Sequence, residues 1–357
     1  MRYLWHMKFR SELDVKPLSA PIRYPQSILL AGSCFTEHIG ERLNTYRLPV
    51  LQNPHGIMFN PISLCDMLLA CVEERRYTAS DLFSYGGLWS SWAFHGRFSS
   101  PDPLLALQAM NEAQREASAF LRRADWLVLT LGSAWVYELR GGVAAAGPQG
   151  SSARGGAVTG APALGGFAPG QAVANCHKAP ADWFIHRLLS VEEVLSALDQ
   201  ILHRLFLVRP GLRVLFTISP VRHLREGMVE NNRSKAVLIQ AVHHLVGKFD
   251  RLDYFPAYEL VIDDLRDYRF YAEDLVHPNY QATQYVWEKF AASCMDADAR
   301  ALMQALDPLL AARRHKPFNP TGEEHRRFLA RMGAEAAALQ AKYPFLDLSA
   351  DIAYFTA

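Results

Sequence analysis

Apolar positions fall in two rhythms along this chain. Short, mostly apolar runs occur at 28–31, 125–132 and 212–218, each closed by glycine, serine or proline. Runs of that length suit strands buried on both faces. A shorter one at 47–51 reads as a further strand. Between them lie longer segments in which apolar residues recur among charged ones, the pattern of helices packing one face. They cover 37–43, 62–71, 104–123, 190–207, 234–249 and 281–294, and 260–263 starts a short strand or helix. Ser190-Val-Glu-Glu193 is a capping-box pattern, and Thr321-Gly-Glu-Glu324 is another, opening a helix over 324–342. Ser63 is a candidate cap for the helix at 62. Strands alternating with helices predict a three-layer α/β/α sandwich with a mainly parallel sheet. Residues 1–295 read as that domain, and 296–357 as a helical extension that can cap it or form a homo-oligomer.

Other stretches break both rhythms. Residues 1–26 carry Pro17, Pro21 and Pro25 and read as an extended lead-in. Asn53 to Pro61 holds two Asn-Pro pairs, which set extended geometry before each proline. Residues 77–100 gather Trp89, Trp92, Phe94, His95 and Phe98 among glycines and serines. That is an aromatic loop or hairpin, serving either as a satellite core or as a substrate wall. About 140–172 the composition turns to Gly, Ala, Ser and Pro, the mark of a surface insertion.

Composition narrows the function classes. Of 357 residues 50% are hydrophobic and 20% charged, which suits a sizeable core. A net charge of +1 provides no field to draw the chain to nucleic acid or to an anionic membrane. No run approaches the roughly 18 apolar residues of a membrane span, and no secretory signal pattern opens the chain, so a cytoplasmic enzyme is the expectation. Five scattered cysteines argue against a disulfide scaffold. Neither Gly-x-Gly-x-x-Gly nor a Walker pattern is present, which lowers nucleotide readings.

The first strand ends in Gly32-Ser33-Cys34 before a helix. A hydroxyl there would stand at the carboxyl end of a strand, where open α/β sheets keep their ligands, near free N–H groups of a helix N-terminus. Ser33 is therefore a candidate nucleophile. It needs a base, and the base needs a partner to fix its tautomer. Asp274-Leu-Val-His277 holds both groups within one turn. Cys34 is a rival nucleophile, but neighbouring side chains on such a turn diverge, and it reads as a packing residue. A zinc site from Cys34, Cys176, His177 and His277 lacks the close ligand spacing such sites use.

The order of these features resembles the SGNH or GDSL-type hydrolases, with the serine early and Asp-x-x-His late. The resemblance narrows to the GSCFA family. Gly32-Ser-Cys-Phe-Thr36 nearly matches its signature, with Thr36 in place of alanine. Asn53-Pro-His-Gly-Ile-Met-Phe-Asn-Pro61, Thr130-Leu-Gly-Ser-Ala-Trp135, Asn175-Cys-His-Lys178 and Ser219-Pro-Val-Arg-His223 look like that family too. So do Tyr254-Phe-Pro-Ala-Tyr-Glu259, Asp264-Leu-Arg-Asp-Tyr-Arg-Phe-Tyr271 and Asp274-Leu-Val-His-Pro278, over roughly residues 25–290.

The resemblance implies an SGNH-like fold and a serine esterase or acylhydrolase that uses no metal or organic cofactor. Ser33 is then the nucleophile, His277 the base and Asp274 its orienting acid. The N–H groups of Ser33 and Gly56 are the implied oxyanion donors. The superfamily's third block usually carries Gly-x-Asn-Asp, whereas Gly132-Ser-Ala-Trp135 lacks that asparagine. Asn175 is the favoured replacement, with Asn60 the alternative. Asn60, His177 and Lys178 are candidates for substrate binding, with structural roles as the competing reading. The expected substrate is a small-molecule or carbohydrate ester, for which the aromatic loop at Trp89 and Trp92 is a candidate wall. An O-acyltransferase with the same triad and a catalytically silent binding protein are the alternatives. Arg266 and Arg269, alternating with acids, are expected to brace the histidine loop through salt bridges.

Overall fold

The computed structural model describes residues 11–140 and 165–356. Five short strands form a parallel sheet: β1 (Ile28–Gly32), β2 (Val50–Gln52), β5 (Trp126–Leu131), β8 (Arg213–Ile218) and β9 (Leu252–Tyr254). Their order is β2-β1-β5-β8-β9. The chain leaves β1 toward one edge and returns on its other side, so the order reverses between β1 and β5. In doubly wound sheets that reversal opens a crevice at the carboxyl ends of the two strands.

The apolar runs are buried on both faces, and the two-residue side-chain period divides them between two cores. Leu29, Ala31, Leu127, Leu129, Val214 and Phe216 belong to one cluster. It is completed by α2 (Pro61–Val72), α3 (Pro103–Arg123), α4 (Val191–Val208) and α5 (Met228–Lys248). Ile28, Leu30, Trp126, Val128 and Leu215 belong to the other, with α1 (Phe35–Thr45) and α7 (Tyr280–Cys294). The expected α/β fold with a mainly parallel sheet between helices is therefore observed. A short helix, α6 (Ala257–Glu259), runs on into a helical turn at Leu260–Leu265, which resolves the strand-or-helix choice there.

Two antiparallel pairs lie outside the sheet. β3 (Phe83–Tyr85) pairs with β4 (Leu88–Ser90), the hairpin expected in the aromatic stretch. β6 (Trp135–Leu139) pairs with β7 (Phe184–Leu188) across the insertion, most of which falls outside the described residues. Where described, the lead-in forms neither helix nor strand and turns at Tyr24–Pro25, and Ile22 bridges Met295 beside the end of α7. Three further helices, α8 (Ala297–Arg314), α9 (Glu323–Lys342) and α10 (Ser349–Thr356), bury Leu302, Leu306, Met332, Ala336 and Phe355 together.

Helix starts separate real caps from apparent ones. Ser190 and Glu193 form the expected capping box on α4. Ser63 does not cap α2: Asn60 does, accepting from the Ser63 N–H at 2.8 Å, with Pro61 at the first helical position. Thr321 caps nothing either, because α9 starts after Gly322 with no side-chain cap. Among the described residues no helix is long and apolar enough to cross a membrane.

Candidate active site

Gly32 closes β1 at φ +147°, and a Cβ there would come within 2.2 Å of Thr130 O. Glycine is thus the residue that lets β1 and β5 stay in register to their ends. Asn53, from the loop after β2, fastens the same point: its Oδ1 accepts from the Gly32 N–H at 2.9 Å. Ser33 follows, placed as expected at the strand's carboxyl end, but it is only 1% exposed. Its N–H donates to Thr130 O at 3.1 Å, and its Oγ accepts from the Phe35 N–H at 3.3 Å. The neighbouring Cys34, expected to be packed away, is instead the half-exposed member of the pair. Burial, followed by the Glu37 charge, pushes its thiol above the usual range, which disfavours the thiolate.

The Asp274–His277 pair forms. His277 Nδ1 lies 2.6 Å from Asp274 Oδ2, while Asp274 Oδ1 accepts from the N–H groups of Val276 at 2.9 Å and His277 at 3.0 Å. Leu275 turns the chain at φ 58° to make this possible. The His277 N–H, then its ring, hold the Asp274 carboxyl down at about 2. Both side chains are half exposed.

The loop is tied to the end of β8, where the Arg222 N–H donates to Val276 O at 3.2 Å. It also stands near α1, since the charge of His277 helps lower the pKa of His38 after burial. Among the described residues no hydrogen bond joins His277 to Ser33.

The brace of this loop differs from the expected one. Arg269 lies 3.9 Å from Asp267 at the exposed surface, a pairing of little energetic weight. Arg222 does the holding instead, its guanidinium 4.2 Å from the ring of Tyr271 and 5.0 Å from that of Tyr268. Asn279 adds side-chain bonds to the carbonyls of Arg269 and Tyr271 at 2.7 and 3.3 Å.

The remaining expected residues are scattered in role. Gly56 N–H donates to Asn53 O at 2.7 Å, so the two backbone donors expected of an oxyanion hole, Ser33 and Gly56, are both paired in this structure. At φ +90° Gly56 is needed for close packing, because a Cβ there would sit 2.2 Å from His95 Cβ. Asn60 spends both ends of its amide on Ser63. His177 is held in place: its Nε2 lies 2.9 Å from Ser91 O, its ring packs on Phe83 and Trp92, and burial holds its pKa down. Lys178 is exposed. Asn175 accepts from the His177 N–H at 2.8 Å through Oδ1. Trp92 cannot be a substrate wall, because it is fully buried and stacked on Phe83 at 3.6 Å.

Asn60 and Asn175 do meet at one place. With Phe59, Trp135, His186 and His223 they line a cavity of about 180 Å³. It adjoins the end of β5, where the N–H groups of Gly132 and Ser133 donate to Phe59 O. Among the described residues no three His, Cys, Asp or Glu side chains gather as a metal site would require. Sequence reasoning missed Asn53, Arg222 and Lys235 as parts of this corner. Lys235, on α5, is 1% exposed and donates to Gly132 O and Ser219 O at 2.6 Å each.

Comparison with known families agrees with the motifs. The GSCFA family matches residues 27–149 and 167–290, spanning both Ser33 and the Asp274–His277 pair. The chain belongs to the GSCFA family. The C-terminal domain of GSCFA domain proteins matches residues 306–357, within α8 to α10 and the end of the chain. No curated protein matches this GSCFA chain.

Two solved structures overlap it loosely. One, from Streptococcus pneumonia and named for platelet activating factor, has 13% identity and a TM-score of 0.35, covering 75% of this chain and 83% of its own. The other, a carbohydrate esterase family 3 protein from Talaromyces cellulolyticus, has 6% identity and a TM-score of 0.33, covering 78% of this chain and 98% of its own. Likeness at that level carries no argument about activity.

Proposed function

We propose that this GSCFA protein is a serine-dependent ester hydrolase with an SGNH-like catalytic domain, to which residues 296–357 add a helical cap. The observation that carries the reading is the Asp274–His277 pair. The carboxylate holds Nδ1, which leaves Nε2 to take a proton, and the loop is bonded to the segment after β8, in the same sheet whose β1 leads into Ser33. Imidazole–carboxylate pairs of this kind serve as general bases toward a hydroxyl. Ser33 attacks an ester carbonyl while His277 receives its proton. The acyl-enzyme is then resolved by water, with His277 returning the proton to each leaving oxygen in turn. Before attack the Ser33 hydroxyl must leave the Phe35 N–H. Asn175, whose Oδ1 is already occupied, can offer its amide nitrogen to the oxyanion from the adjoining cavity.

A second reading has its own observation. Ser33 is buried, its Oγ serves the start of α1 and its N–H serves β5, all of which a silent binding protein would keep. A panel of p-nitrophenyl esters separates the two. The hydrolase reading predicts turnover that vanishes in Ser33→Ala, whereas no turnover on any ester in the panel supports the silent fold. Added alcohol acceptors distinguish an acyltransferase by the yield of transferred product.

A further inference from the structure

Lys235 has no part in the steps above, yet it is as deeply buried as Ser33. Two carbonyl oxygens belonging to different strand ends converge on its Nζ at 2.6 Å: Gly132 O, just past β5, and Ser219 O, just past β8. The residue before it acts on the same segment, since Ser234 Oγ accepts from the Ala134 N–H at 2.7 Å and lies 3.2 Å from Ser133 Oγ. One dipeptide of α5 therefore holds the whole 132–134 turn.

The groups facing Lys235 come from three other elements. They are Cys34 at the start of α1, His223 after β8, and the ring of Tyr258 in α6, 5.9 Å from Nζ. Among the described residues no carboxylate pairs with it. A buried amine with only dipoles around it is costly to keep and is seldom kept for packing alone. Burial pulls it down to about 7, and the thiolate form of Cys34 would pull it back up.

We propose that Lys235 is a positioning residue of the nucleophile corner: its ammonium ties the ends of β5 and β8 together and places a positive charge behind the Ser33–Cys34 turn. The structural half of this stands without the hydrolase reading. The catalytic half, that the charge favours anion formation at Ser33 during attack, rests on that reading.

Cys34 can report the charge, because it is half exposed and Lys235 works against the burial and the Glu37 charge that raise its thiol pKa. Iodoacetamide alkylation of the intact protein, followed site by site by mass spectrometry, uses Cys176 as the internal reference. Lys235→Met should slow Cys34 alkylation at least about twofold, because the thiolate loses a positive charge that favours it. Cys176 should keep its rate, and Lys235→Arg should leave Cys34 closer to wild type. An unchanged or faster rate at Cys34 in Lys235→Met overturns the proposal, since a merely loosened turn exposes the thiol rather than quieting it.

If Lys235→Met does not fold, wild type decides. As Lys235 loses its proton near neutrality, the Cys34 rate should climb with pH less steeply than the Cys176 rate, and equal slopes would contradict the proposal. A fluorophosphonate probe applied to the same samples separates the two claims. Wild type unlabelled at Ser33 defeats the hydrolase reading and leaves the cysteine result to judge Lys235 alone.

Discussion

Asp274 is the residue whose chemistry is most sharply set by its surroundings. Two backbone N–H groups and the His277 ring hold its carboxyl at about 2, so it stays ionised above about pH 3. No inflection belonging to Asp274 is therefore expected in a pH–rate profile above about pH 3. Asp274→Asn should lower kcat/KM by about 10³–10⁴-fold, because the amide no longer fixes the imidazole tautomer. Steady-state ester hydrolysis measures this, and a loss under tenfold would speak against the orienting role. The candidate pair was visible in the sequence because its two members stand three residues apart. Asn53, Arg222 and Lys235 were not, since each acts on a residue far away in the chain. Asn53 clamps Gly32, Arg222 holds the 268–277 loop, and Lys235 joins Gly132 to Ser219. No local pattern announces such partners. Cys34 and Ser33 exchange exposure relative to expectation, and the Ser33 Oγ is turned under the helix start, where it accepts from the Phe35 N–H.

At the scale of elements, the apolar runs disclosed β1, β5 and β8 within a residue or two, because strands buried on both faces cannot alternate. β9 is three residues long, and β6 and β7 are separated by the insertion, so neither had enough length or proximity to be read. The aromatic hairpin proved to be a satellite core. Trp92→Ala should cost about 3–5 kcal/mol in urea unfolding, and ester turnover by the fraction still folded should not change.

Asn60 is the element-level counterpart. Losing its cap on α2 in Asn60→Ala should cost about 1 kcal/mol. α5 makes a pH-dependent contribution through Lys235. The amine is held near 7 against an ordinary 10.5, so the unfolded chain binds the extra proton between those values. Wild type should gain stability relative to Lys235→Met as pH rises through that window, and lose it as pH falls back. Parallel thermal melts of the two proteins check the sign.

On the scale of the whole molecule, the strand order sets β1, β5 and β8 side by side, with Ser33, Gly132 and Ser219 just past their carboxyl ends. The C-terminal helices are fastened to the segment between α1 and β2. Tyr46 OH donates to Asp307 Oδ1 at 2.7 Å, and Arg47 and Arg313 reach Asp351 at 2.6 and 3.5 Å. The Asp351 side chain is 4% exposed while that of Arg47 is 35% exposed. Asp351→Asn should therefore cost about 1–2 kcal/mol, below the 3–5 of a fully buried pair. Denaturant unfolding measures it, and a neutral result would show that the extension is held by its apolar cluster alone.

The account turns on Ser33 being reached by the base at His277. The most direct measurement is labelling of the full-length protein with a fluorophosphonate probe, followed by peptide mapping. Modification at Ser33, lost in Ser33→Ala and strongly reduced in His277→Ala with both variants folded, is the predicted result. Labelling at Cys34 or elsewhere, or labelling at Ser33 that ignores His277, would contradict it.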